Sequence, residues 1–290
     1  EGLVRAHARA YRILHQDVPR HHAGKTPRVG IAPHVIAWRP GRFDPFGLVR
    51  KAGERFDWAV LDACKADGGR LELSLRTVDV PEAKGTLDFA GINYYMALPA
   101  DAPSFLRFAG LLHRPIGGAP EQASERIASP WGRLRAWASS RQASDRRASL
   151  RRQRHTRPGT NDLGWPIDAS GFEEVLLEAS RRAGVPILVT ENGVADATDR
   201  IRPGFLRDHV AALRRARARG ADVRGYLHWS LLDNFEWHEG YGPRFGLVAV
   251  DYATQARAPR ASCEVYRELI AEGPDVLVPV GAEGAHARRH

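Results

Sequence analysis

Apolar positions along the chain change their period several times, and the changes mark out alternating elements. Val4, Ala8 and Tyr11 recur at i, i+4 and i+7 with Arg5, Arg9 and Arg12 between them, which predicts an amphipathic helix ending near Pro19. Residues 28–38, Arg-Val-Gly-Ile-Ala-Pro-His-Val-Ile-Ala-Trp, read as a strand running into a loop, and a helix is predicted from about Pro45 to Ala66, closed by Gly68-Gly69. The same β-then-α order returns with strands over 86–95, 186–190 and 223–229 and helices over 171–183, 203–219 and 261–271. The helix after Pro203 has proline at its start, Leu206, Val210 and Leu213 on one face and Gly220 just past its end.

Val185-Pro186-Ile187-Leu188-Val189 and Leu87-Asp88-Phe89-Ala90-Gly91-Ile92 are nearly continuous apolar runs. Such runs suit strands covered on both faces, as in a parallel sheet, and four β-then-α units in series predict an α/β fold with a parallel sheet, open or part of a barrel. Within the strand over 86–95, Asn93 and Tyr95 share one face and Tyr94 points the other way, because side chains alternate along a strand.

Composition refines this picture. With 290 residues, 43% of them hydrophobic and 27% charged, the expectation is one large globular domain. No apolar run approaches the ~18 residues of a membrane span, and Glu1-Gly2-Leu3-Val4-Arg5-Ala6-His7 has no signal-peptide core. Cys64 and Cys263 are far apart and read as two separate thiols. A cytoplasmic location without membrane attachment is expected.

The formal net charge of +9 raises nucleic acid as a partner. Much of the excess is local, since Arg141 to Arg157 holds seven arginines against Asp145 alone. That stretch has no aromatic residue for base stacking, and with Ser139, Ser140, Ser144 and Ser149 it reads as a basic low-complexity insertion spanning about 97–160. No nucleic-acid partner is expected. Residues from about 273 to 290 read as a disordered tail. The histidines lack metal-ligand spacing, so neither a metal nor a cofactor is expected.

The candidate chemistry lies in Val189-Thr190-Glu191-Asn192-Gly193 and in Trp229 through Trp237, Trp-Ser-Leu-Leu-Asp-Asn-Phe-Glu-Trp. Carboxylates among aromatic rings suit a sugar site, where ring faces stack on pyranoses and carboxylates serve as nucleophile and acid/base. These motifs, with Asp88-Phe89-Ala90-Gly91-Ile92-Asn93-Tyr94-Tyr95, Gly164-Trp165-Pro166-Ile167 and the run Gly240 to Leu247, make the sequence resemble glycoside hydrolase family 1, the β-glucosidase family, from residue 1 to about 272 outside the insertion.

The resemblance implies a (β/α)8 TIM-type barrel, present here as about four units corresponding to its fifth to eighth strands, and retaining hydrolysis of β-linked glucosides or related glycosides. It implies Glu191 as nucleophile, Tyr95 as the residue orienting it, and Asn93, Trp229, Glu236, Trp237 and Phe245 as sugar contacts. The family's acid/base sits in an Asn-Glu-Pro tripeptide, which these 290 residues do not contain. The expectation is therefore a chain lacking the barrel's N-terminal half, with a small-molecule glycoside as substrate. The missing half, or self-association, would then cover the exposed sheet. The alternative is an inactive half-barrel serving as a sugar-binding or assembly module.

Overall fold

A computed structural model of the chain describes residues 1–21, 27–41, 44, 46–73, 76–100 and 159–273. The expected Arg-rich insertion, apart from its two ends, and the expected tail beyond Gly273 lie outside the described residues. The elements are α1 (Gly2–His21), β1 (Gly30–Ile31), β2 (Ala37–Pro40), α2 (Leu48–Cys64), β3 (Arg70–Leu73), β4 (Arg76–Asp79), β5 (Phe89–Tyr94), β6 (Ala97–Ala100), α3 (Ala169–Ala183), β7 (Ile187–Asn192), α4 (Arg202–Ala218), β8 (Val223–His228), β9 (Val248–Val250), β10 (Arg257–Pro259) and α5 (Ala261–Glu272).

The fold is α/β. A four-stranded sheet runs in the order β1-β5-β7-β8 with every pairing parallel. Helices α3 and α4 make the crossovers from β5 to β7 and from β7 to β8. No closed barrel is formed among the described residues. Ala90, Ile92 and Tyr94 of β5 and Ile187 and Val189 of β7 are fully buried against Phe172, Leu176 and Ala179 of α3 and Ala212 and Ala216 of α4. Burying side chains of the size of Phe172 or Leu176 contributes about 1.5–3 kcal/mol each. Among the described residues the opposite face is open: Leu188 and Thr190 are half-buried, and Leu227 of β8 is 53% exposed.

Helix ends are fixed by side chains. Asp168 caps α3 by accepting from the Gly171 amide at 2.8 Å, and Arg39 of β2 donates to the same carboxylate at 2.7 Å. Asp196 accepts from the Ile201 and Arg202 amides at 2.8 and 3.0 Å, which starts α4. Gly184, with φ of 63°, ends α3 in the left-handed conformation.

Three expectations change. The stretch over 28–38 is two strands, β1 and β2, with the His34 bridge to Asn93 between them, and β2 leaves the main sheet to pair with β6. Residues 97–100, expected to open the insertion, are that partner strand β6, since Pro99 is tolerated in a two-stranded pair. Helix α1 continues to His21, two residues past Pro19, because a proline in a last turn removes only one ladder bond. The β3–β4 and β9–β10 hairpins were not expected at all.

Candidate active site

The parallel register brings three strand ends to one edge of the sheet. Asn93 pairs with Glu191, Tyr94 with Asn192 and Asn192 with His228, so Tyr95, Glu191 and Trp229 emerge together where β5, β7 and β8 end. The carboxyl ends of strands in open parallel sheets are where ligands gather, since the loops diverge there.

The Tyr95 hydroxyl donates to Glu191 Oε2 at 2.6 Å. Burial, followed by this bond to an anion, pushes the Tyr95 phenol well above its ordinary range, so it stays a donor. Tyr94 faces the helices instead, with its ring 5.2 Å from Phe172 and its hydroxyl bonded to the Asp168 carbonyl at 2.8 Å. Asn93 accepts from the Thr190 hydroxyl, which ties the last turns of β5 and β7 together on the open face.

Rings enclose this pair. Phe245, 2% exposed, meets Tyr95 edge-on with centroids 6.1 Å apart. Trp165 lies 6.2 Å from Tyr95 and 6.3 Å from Phe245. The Trp229 indole donates to Glu236 Oε1 at 3.3 Å. Burial raises the Glu236 carboxyl above its usual range, with a further push from the nearby Glu191 charge. Seven residues apart in sequence, Trp229 and Glu236 are joined by a loop that folds back on itself.

That loop is held from beneath. Asp233, 4% exposed, accepts from the Gly246 amide at 2.9 Å and from both terminal nitrogens of Arg260, at 3.0 and 2.9 Å. Arg202, fully buried, reaches the carbonyls of Asp196 and Arg244 at 2.6 and 2.8 Å. Gly193 is packed so closely that an added Cβ would fall 1.8 Å from the Trp229 carbonyl oxygen.

The structure thus gathers Glu191, Tyr95, Asn93, Trp229, Glu236 and Phe245. Trp237, expected beside Glu236 as a sugar contact, is 77% exposed. Its φ of 48° begins a short 3-10 turn closed by Gly240. Trp165 joins the rings as well, and its place in the Gly-Trp-Pro-Ile motif is its signal in the sequence. The Asp233–Arg260 clamp and the bond from Arg202 to the Arg244 carbonyl left no local signal, because these partners are 27 and 42 positions apart.

A 490 Å³ cleft lined by Lys51, Arg55, Asp62, Arg70 and Arg182 lies on the side of α2 and β3. Its charges are mixed and it has no aromatic wall, so it does not suit a sugar. Among the described residues no group of three or more His, Cys, Asp or Glu side chains is placed to hold a metal ion. No described helix is long and apolar enough to cross a membrane.

Comparison with known proteins places the chain in a family. The chain is 31% identical to a β-galactosidase of Saccharolobus solfataricus over 94% of its own length and 47% of the relative. A β-galactosidase of Sulfolobus acidocaldarius is 49% identical over 110 residues, 38% of this chain and 22% of that protein. The solved β-glycosidase from Pyrococcus horikoshii superposes with a TM-score of 0.61 at 30% identity, covering 92% of this chain and 51% of that one. The chain thus spans about half the length or less of these relatives. The profile of Glycosyl hydrolase family 1 matches residues 55–274, and the chain belongs to that family.

Proposed function

We propose that this chain carries the nucleophile-bearing part of a retaining β-glycosidase acting on β-linked glucosides or related glycosides. The observation that carries this reading is the 2.6 Å hydrogen bond from Tyr95 to Glu191, set among rings at the C-terminal end of a parallel sheet. The sheet β1-β5-β7-β8 is read as the fifth to eighth strands of a (β/α)8 barrel.

On this reading the Glu191 carboxylate attacks the anomeric carbon as the bond to the aglycone oxygen breaks and that oxygen takes a proton. Water then hydrolyses the glycosyl ester and releases the sugar with its configuration retained. Tyr95 fixes which carboxylate oxygen faces the sugar, because one oxygen is already engaged. Glu236 accepts from sugar hydroxyls, Trp229 offers a stacking face, and Asn93 and Phe245 line the same pocket. That relatives are named β-galactosidases and β-glycosidase supports a β-linked substrate without choosing between C4 epimers.

No Asn-Glu-Pro tripeptide occurs in these 290 residues, so the proton donor is not among them. Loss of a general acid costs roughly 10²- to 10⁴-fold in rate, most for poor leaving groups. The chain alone is expected to turn over cellobiose negligibly.

Incubation with 2,4-dinitrophenyl 2-deoxy-2-fluoro-β-glucoside tests the reading, because its activated leaving group needs no acid. Intact mass should rise by one fluoroglycosyl group, mapped to Glu191 and absent in Glu191→Gln. An adduct on another residue would overturn the assignment of the nucleophile. Robust cellobiose turnover by the isolated chain would overturn the absence of the acid. No adduct at all would favour the second reading, a sugar-binding or assembly module.

A further inference from the structure

Asn192 follows Glu191 directly and is fully buried, yet no step of the reaction uses it. Its amide is shared between two other strand ends. Nδ2 donates to the Tyr94 carbonyl at 2.8 Å, and Oδ1 accepts from the Tyr226 hydroxyl at 2.8 Å. Its main-chain carbonyl accepts from the Trp229 amide at 3.0 Å. Each partner lies beside a site residue or is one: Tyr94 precedes Tyr95, Tyr226 is three residues before Trp229, and Trp229 itself is bonded.

The ladder is irregular here. The β5–β7 pairing shifts register between Ile92 and Asn93, and the β7–β8 pairing shifts between Val189 and Asn192. Main-chain pairing resumes beyond these irregularities, at Asn93–Glu191, Tyr94–Asn192 and Asn192–His228, but over only one or two residues per strand before Tyr95, Glu191 and Trp229 leave the sheet. The Asn192 side-chain amide reinforces this short pairing with a bond to each neighbouring strand, and its orientation is set, since a flip would face Oδ1 with the Tyr94 carbonyl, acceptor against acceptor.

We propose that Asn192 is a positioning residue that sets the Tyr95–Glu191 contact by bridging the ends of β5, β7 and β8. The proposal rests on the reading of Glu191 and Tyr95 as a functional pair, and it deepens that reading. It differs from a packing role in what it predicts: removing the amide should uncouple Tyr95 from Glu191 even where the fold survives.

The 290-residue chain labelled with 13Cζ-tyrosine provides the readout, with the Tyr95 resonance assigned by its loss in Tyr95→Phe. In the wild type this resonance should be displaced from its position in Glu191→Ala. In Asn192→Ala at least half of that displacement should vanish. Val189→Ala, a fully buried cut on the same strand, should keep the displacement despite a comparable fall in Tm. Tyr226→Phe removes a single bond to Oδ1 and should reduce the displacement partway, which keeps the test decisive if Asn192→Ala does not fold.

The proposal is overturned if the wild type shows no displacement, if Asn192→Ala and Tyr226→Phe retain it, or if Val189→Ala loses it equally. This measurement needs no turnover. Its failure leaves the fluoroglycosyl labelling of Glu191 unaffected, and a failure of labelling leaves the bridge unaffected.

Discussion

At the residue scale, two glycines show how position decides meaning. A Cβ on Gly193 would fall 1.8 Å from the Trp229 carbonyl oxygen, so the strand ends approach only because nothing is there. A Cβ on Gly204, in the first turn of α4, meets nothing within 4 Å. Gly193→Ala should therefore destabilise by about 3 kcal/mol or more, as overpacking in a closed site does, while Gly204→Ala should stabilise by about 0.5–1 kcal/mol through helix propensity. Urea unfolding of both variants reads the sign. Asp57 is a second residue with a definite consequence. Its carboxylate accepts from the Trp38 indole at 2.8 Å and the Ile36 amide at 3.2 Å, and burial pushes its pKa up to about 7. A raised carboxyl contributes stability that is complete below the unfolded value near 4 and is lost as pH rises to about 7, on the order of 4 kcal/mol. Buried His209, held down to about 4, acts in the opposite direction, since its fold loses stability as pH falls. The difference between Asp57→Asn and wild type isolates Asp57: near zero at pH 4, it should grow in favour of the variant to pH 8, as urea midpoints would read.

At the scale of elements, the loop from Trp229 to Trp237 depends on residues outside it. Asp233 receives two bonds from Arg260, at 3.0 and 2.9 Å, and one from the Gly246 amide, and this fastens the loop to the segment that carries Phe245. Burial raises the Asp233 carboxyl, but the Arg260 bonds and the amides outweigh it and leave it below its usual range. Asp233→Ala leaves the Arg260 guanidinium, only 11% exposed, without its carboxylate, and should cost about 3–5 kcal/mol. Thermal unfolding followed by tryptophan fluorescence reads the loss. The helices α3, α4 and α5 and the strands β7 and β8 were legible within a few residues, because each has a local period and its own start and stop residues. The 28–38 stretch was not, because one apolar run serves two strands in different sheets, and the run has no mark where the partner changes. The hairpins β3–β4 and β9–β10 are short, and β4 and β10 are largely exposed, so their alternation carries little apolar contrast.

At the scale of the whole molecule, one face of the sheet is covered and the other is open among the described residues. Leu227 is 53% exposed on β8, and Leu231, Phe235 and Trp237 beyond it are 64%, 54% and 77% exposed. An apolar group beside an unpaired strand edge favours association. The net charge of +9 opposes it through repulsion. The 290-residue chain is thus expected to self-associate with rising concentration, more strongly as salt screens the charge, and Leu227→Lys should weaken this. Sedimentation velocity at two salt concentrations measures it; a monomer throughout would mean that the face is covered within the chain.

The order of β-then-α units, the parallel character of β5 and β7, and the candidacy of Glu191 and Tyr95 were determined by the sequence itself. Period, alternation and motif are local properties that survive without a folded chain. Tertiary structure decided what depends on register and loop closure: that the Tyr95 hydroxyl and the Glu191 carboxylate sit 2.6 Å apart, that Trp229 reaches Glu236, that Trp165 joins the rings, and that Trp237 is exposed. Those contacts join residues separated by up to about a hundred positions. Such distances are set by how helices pack behind the sheet, not by anything the intervening residues state in order.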